Sequence, residues 1–144
     1  MGVEGRKEHG QATVELAVVI PVALIVAVVT VNALSFFGTC AAFDRVARQA
    51  VCIHGAAPAA GEGAADVAAK VEADLESAVG APNVSISVTV QSTALGLERY
   101  TSQVEFAPTL FGLGLRSEVF GVALPALQHE VSMVVDRYRP GVLF

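Results

Sequence analysis

Glu15 is the residue whose position most clearly suggests chemistry, because it stands at the edge of a long uncharged segment. The next charged residue along the chain is Asp44. A carboxylate in a bilayer costs about 2.5–3.5 kcal/mol at the midplane and less near the interface, so such an acid is a candidate for function. Glu15 also lies near the start of a predicted helix, where a negative charge favours the positive end of the dipole. The residues themselves leave both interpretations open.

The uncharged segment has the length and composition of a membrane-spanning helix. From Leu16 to Phe37 the only hydrogen-bonding side chains are Thr30, Asn32 and Ser35. A helix of this length rises about 33 Å, which matches a hydrocarbon core of about 30 Å. We predict a single membrane span, kinked one turn inside the membrane by Pro21, a defect that membrane helices tolerate.

Cleavage or lipid attachment after this segment is disfavoured. A secretory signal peptide has an apolar stretch of about 7–15 residues before its cleavage site, and the stretch here is longer. The A-x-A string Ala57–Ala59 lies well beyond its end. Cys40 follows Phe37-Gly38-Thr39, whereas a lipidated cysteine usually has a Leu-like residue three positions before it and Gly, Ala or Ser directly before it.

Motifs for catalysis, metal binding or nucleic-acid binding are absent from the sequence. The three His and two Cys residues form no CxxC or HExxH pattern, and there is no GxxxxGK[ST] phosphate loop. The net charge is −5 and the basic residues are scattered, unlike a nucleic-acid-binding surface. We therefore predict no enzyme activity, no cofactor, no metal, no nucleic-acid partner and no small-molecule substrate.

The remaining polar residues are expected to be solvated or inert. They are His9, His54 and His129, the arginines Arg45 and Arg48, and the carboxylates Glu72, Asp74 and Glu76. Cys40 and Cys52 would lie about 18 Å apart on one helix, whereas a disulfide needs Cα atoms within about 7 Å. We expect both thiols to be free and buried, with an intermolecular disulfide as the alternative.

The string from Gly10 to Pro21, GQATVELAVVIP, resembles the N-terminus of type IV pilin-like proteins. It is most similar to TadE-like minor pseudopilins of the tight-adherence (Flp) pilus system. That pattern is a polar leader ending in Gly, a Glu fifth in the mature chain, and an apolar run broken by Pro. The segment 41–50, AAFDRVARQA, also resembles the family. Gln11 departs from the aromatic or Met common at the first mature position, so N-methylation there stays open.

The resemblance implies a processing and assembly mechanism. A prepilin peptidase would cut between Gly10 and Gln11, where glycine suits an extended backbone in a tight cleft. The new amine at Gln11 would pair with Glu15 of a neighbouring subunit, which offsets the cost of burying both charges. The implied partners are membrane lipid, the peptidase, other pilins and the pilus-assembly machinery. The implied location is the cell membrane, with the N-terminus cytoplasmic and the head extracytoplasmic.

Beyond the apolar segment, the pattern predicts a helix that continues into a small head. One helix is predicted from about Ala12 to His54, ended by Gly55 as its C-terminal cap. Its second half is amphipathic and should cover one face of a sheet through Phe43, Val46, Ala47 and Ala50.

The head is predicted to be α+β. Residues 64–79 have helical apolar spacing, while residues 84–91, 100–106 and 126–137 alternate as strands of a three-stranded antiparallel sheet. The apolar residues 109–125 are predicted to form a loop packed on the head or held at the membrane surface. The domains are thus a leader (1–10), a transmembrane and juxtamembrane helix (11–54), a linker (55–63) and an extracytoplasmic head (64–144).

Two other protein classes fit these features. A signal-anchored membrane protein with an extracytoplasmic binding head would keep residues 1–10. A type II secretion pseudopilin would share the leader, although such chains usually begin with Phe and often carry a calcium-binding head, and neither is visible here.

Overall fold

The computed structural model describes the backbone of residues 4–93, 96–110, 118–119, 122–123 and 125–136, and the side chains of residues 12–93, 96–110 and 125–136. The elements are α1 (Glu4–Ala50), a π-helical segment (Val51–Gly55), α2 (Ala64–Val79), β1 (Val84–Ser92), β2 (Leu97–Phe106), β3 (Glu118–Val119), β4 (Val122–Ala123) and β5 (Leu127–Asp136). Strands β1, β2 and β5 form an antiparallel sheet with β2 in the centre, and β3 pairs with β4. The predicted α+β fold is confirmed.

Helix α1 begins at Glu4, earlier than the predicted start near Ala12. The leader is short and polar, but Glu, Arg and Lys are good helix formers, so the helical backbone continues into it. Pro21 lies inside the helix, as predicted from the sequence.

The C-terminal end of the long helix differs from the prediction. Gly55 does not cap it in a left-handed conformation, because the chain passes through a π-helical segment and Ala56 remains right-handed, with φ −73° and ψ −34°. Gly55 is instead buried against the sheet. A Cβ atom there would lie 3.5 Å from Tyr100 Cε2 and 3.7 Å from Val135 Cγ2, which is ordinary van der Waals contact.

Helix α2 spans the predicted residues and is fixed by hydrogen bonds at both ends. At its start, the Gly63 N–H donates to Asp66 Oδ2 at 2.8 Å. At its end, the Gly80 N–H donates to the Glu76 carbonyl at 2.9 Å, and Pro82 follows. The predicted apolar stripe faces the core: Val67, Val71 and Leu75 are buried, and its last member, Val79, is half-buried against them.

The sheet presents its apolar face to both helices. Tyr100, Val104 and Phe106 of the central strand are buried, while the opposite face carries polar, exposed side chains. The predicted covering of the sheet by α1 is confirmed, since Phe43, Ala47, Ala50 and Val51 belong to the same core as α2 and β2. The head therefore completes its core only with the second half of α1.

The apolar segment 109–125 was predicted to be a loop, but it is not entirely irregular. It contains the short β3–β4 hairpin. Thr109 contacts α1, and residues 111–117, 120, 121 and 124 lie outside the described part of the chain.

Candidate functional site

The first half of α1 is an exposed apolar surface. Among the described residues, α1 is the one helix long and apolar enough to cross a membrane, and only 6% of its most apolar window is buried. Val14 is 65% exposed and Val18 is 64% exposed, so this segment is not the core helix of the head. An apolar surface of this extent marks a membrane or protein contact.

Glu15 lies near the N-terminal end of this surface. Its side chain is exposed, and it stands on the same uninterrupted helix as Gly10 and Gln11. The backbone of Gly10 and Gln11 is helical, while the side chain of Gln11 lies outside the described part of the chain. At 1.5 Å per residue, Glu15 lies about 6 Å further along the axis than Gln11. A carboxylate there is within one helical turn of any amine created at Gln11.

Pro21 is exposed and has helical backbone on both sides. It has no N–H, so one carbonyl in the preceding turn lacks its intrahelical donor. The kink predicted at this residue stays a prediction.

Within the described residues, the first hydrogen bonds between the head and α1 are made by Asn32. The Asn32 Nδ2 donates to the Thr109 carbonyl at 2.7 Å, and the Thr109 N–H donates to Asn32 Oδ1 at 2.8 Å. One turn later, the rings of Phe36 and Phe106 lie 5.8 Å apart. The amide of Asn32 thus satisfies both backbone groups of one head residue, and the sequence offered a signal for it: an amide in an uncharged segment needs a partner.

A second contact lies further along the helix, at Asp44. His129 Nε2 of β5 is 2.6 Å from Asp44 Oδ1, and the His129 ring meets the Phe43 ring edge to face, with centroids 6.3 Å apart. His129 was expected to be inert, but it joins the sheet to α1.

Histidine and carboxylate side chains also tie α2 to its neighbours. His54 Nε2 lies 3.0 Å from Asp74 Oδ2, and Glu72 Oε2 accepts the Val88 N–H at 3.2 Å. The predicted solvated face is correct for Asp74 and Glu76, which are exposed, although Asp74 also pairs with His54; Glu72 is half-buried. Arg45 and Arg48 are exposed, as expected.

Both cysteines are free, as predicted from their spacing. The expectation that they are buried is wrong for Cys52, which is exposed, while Cys40 is half-buried. Cys52 falls on the outer side of the π-helical segment, where neither α2 nor the sheet covers it.

The described side chains contain no group of three or more His, Cys, Asp or Glu residues that could hold a metal ion. Within the same residues, every buried side-chain nitrogen or oxygen atom has a hydrogen-bond partner. The most distinct surface feature is thus the exposed half of α1 with Glu15 at its start.

No protein-family model, curated protein or solved structure matches this chain.

Proposed function

We propose that this chain is a membrane-anchored, pilin-like subunit that takes part in building a tight-adherence (Flp-type) pilus, as its resemblance to TadE-like minor pseudopilins implies. The observation that carries the proposal is the division of α1. Within the described residues, Ala12–Val31 is exposed apart from the half-buried Val28, and the first hydrogen bonds from the head reach the helix at Asn32.

The length of the uncovered part supports membrane anchoring. At 1.5 Å per residue, Ala12–Val31 rises about 30 Å, the thickness of a hydrocarbon core. This is a closer match than the uncharged segment Leu16–Phe37, because Asn32 and Phe36 already contact the head. In this arrangement the N-terminus is cytoplasmic and the head is extracytoplasmic.

The position of Glu15 supports an assembly role. Once a prepilin peptidase cuts after Gly10, each subunit carries a new amine at Gln11 and a carboxylate at Glu15. These opposite charges pair between adjoining subunits, because leaving either buried alone costs several kcal/mol.

The test combines a processing assay with a fibre count in the same cells. Gly10→Val should block cleavage by a co-expressed prepilin peptidase, whereas the unaltered chain should yield a mature protein that starts at Gln11. Glu15→Gln should leave both membrane insertion and cleavage intact and sharply reduce the number of surface fibres. Glu15→Asp should restore them in part, because its carboxylate is one methylene shorter.

Two results would count against the proposal. Finding Met1 or Gly2 at the N-terminus of the assembled protein would exclude leader processing. Normal fibre numbers with Glu15→Gln would mean that Glu15 only complements the helix dipole. In that role, the substitution would lower helix stability by less than about 1 kcal/mol.

A further inference from the structure

The strands of the sheet run along α1, and this fixes which end of the head is closest to the exposed half of the helix. Phe106 contacts Phe36, and His129 contacts Asp44. Tyr100 lies beside Gly55. Because Val84, Phe106 and Leu127 are paired across the three strands, this row is the end of the sheet nearest Asn32.

We call this end the uncharged end of the head. It consists of the three described chain segments that adjoin that row: Ala81–Asn83 before β1, Ala107–Leu110 after β2, and Pro125–Ala126 before β5. None of these residues is charged. The last two residue pairs of each strand ladder at this end contain one charged residue, Glu105, whereas those at the opposite end contain the exposed Arg99 and Asp136 and the buried Glu98.

Several backbone groups of the uncharged end are hydrogen-bonded within the protein. The Ala107 N–H donates to the Asn83 carbonyl at 2.8 Å, and the Asn83 Nδ2 donates back to the Ala107 carbonyl at 3.0 Å. The Val84 N–H donates to the Ala81 carbonyl at 2.9 Å. Thr109 uses both its backbone groups on Asn32. A surface at the edge of a bilayer needs this internal pairing, because unpaired backbone groups are costly where water is scarce.

Prolines also reduce the number of unpaired backbone donors at this end of the head. Pro82, Pro108 and Pro125 each lie in one of the three segments, and the sequence has six prolines in all. A proline has no N–H, so each removes a donor that would otherwise need water.

The depth of this end follows from α1. Thr109 lies at the level of Asn32, the residue directly after the part of the helix that is as long as a hydrocarbon core. If Ala12–Val31 spans the bilayer, the hydrocarbon boundary passes beside the uncharged end. Two carboxylates limit how deep it goes: Glu76, one turn before the end of α2, and Glu105, on the outer face of β2.

We propose that the uncharged end of the head rests in the lipid headgroup layer, so that the partner of this surface is the bilayer itself. The proposal depends on the membrane anchoring proposed above and adds a second contact to it. The head stands on the membrane with its strands near the direction of α1, its charged end directed away from the lipid.

The experiment measures the depth of single spin labels in the full chain. In a background with Cys40→Ser and Cys52→Ser, cysteines are placed by Ala81→Cys and Ala126→Cys at the uncharged end. Ser92→Cys is the matched exposed control at the opposite end, and Val22→Cys reports the middle of the span. Each variant is reconstituted in vesicles of phosphatidylcholine and phosphatidylglycerol, and collision with oxygen and with a water-soluble nickel chelate is measured. Near-ultraviolet circular dichroism of the buried Tyr100 confirms folding.

Labels at positions 81 and 126 should collide several-fold less with the nickel chelate than the label at position 92, and more than the label at 22. If label 22 is in lipid but labels 81 and 126 are as accessible to nickel as label 92, the headgroup contact is wrong while anchoring stands. If label 22 is also accessible, both proposals fail. Spin–spin broadening at 81 or 126 that disappears on dilution with unlabelled protein would assign this surface to a second copy and overturn the lipid contact.

Discussion

The two halves of the long helix differ both in the pattern of their apolar residues and in their surroundings. In Ala12–Val31 large aliphatic side chains are roughly half to two-thirds exposed, whereas Phe43 and Val51 in the second half are almost completely buried. The first half is apolar on every side, and the second half concentrates its apolar residues on one face. A helix segment with a single apolar face is covered by its own chain, whereas one that is apolar on every side is left for another environment to cover.

The largest difference in unfolding free energy should appear when one apolar residue in each half is replaced by alanine. Phe43→Ala removes a ring with no exposed surface and should lower the free energy of unfolding of the head by about 3–5 kcal/mol. Val18→Ala, on the exposed half, should change it by less than about 0.5 kcal/mol. Denaturant unfolding in detergent micelles, followed by the Tyr100 circular dichroism signal, measures both. If the two variants lost equal unfolding free energy, the two halves would not differ in how the head covers them.

The boundary between the halves can be tested at Asn32. Asn32→Ala leaves the Thr109 N–H and carbonyl without their partner and should destabilise the head by about 1–3 kcal/mol. Thr30 is the control: its Oγ1 donates only within its own helix, to the Val26 carbonyl at 2.8 Å. Thr30→Ala should therefore have little effect in the same unfolding assay. A stability unchanged by Asn32→Ala would mean that the head is not held at this level of α1.

The smallest effect is expected far from the membrane, in the connection before α2. The Lys70 ammonium and the Ala59 N–H lower the pKa of the Glu62 carboxyl below its ordinary value of 4.5. A lowered folded-state pKa contributes stability above pH 4.5 that is lost as the pH falls through the folded-state value. Glu62→Gln should therefore reduce the melting temperature slightly at pH 7, and the difference from the unaltered chain should vanish in acid.

A double variant isolates the cause of this effect. If Glu62 acts through Lys70, adding Lys70→Met to Glu62→Gln should produce little further change at pH 7. The assigned interaction would be contradicted if the melting-temperature difference between Glu62→Gln and the unaltered chain did not change with pH, or if it grew in acid.

Periodicity predicted the elements of the head because it reflects burial directly. The alternation from Val84 to Gln91 and the four-residue spacing of Val67, Val71 and Leu75 each reflect one face in contact with the core. These signals are local in sequence, so a strand or helix can be identified without its partner.

The contacts that position the head could not be predicted in the same way. Asn32 and Thr109, or Asp44 and His129, are far apart in sequence and become neighbours only after the strands align along α1. The end of the long helix was predicted close to its observed position, but its conformation was not: the last turn is π-helical, and Gly55 packs beside Tyr100 instead of forming a left-handed cap. Of the candidate site, the sequence identified Glu15 and the apolar surface, but not the point at which the head begins.

The alignment of the strands with α1 has a mechanical consequence. The head is joined to the helix at three heights, near Asn32, Asp44 and Gly55, by contacts that lie side by side along one axis. A force that draws the helix along its own axis loads these contacts in shear and at the same time, whereas a force across the axis would open them in sequence. We therefore expect the helix and the head to move together as one rigid strut under an axial load.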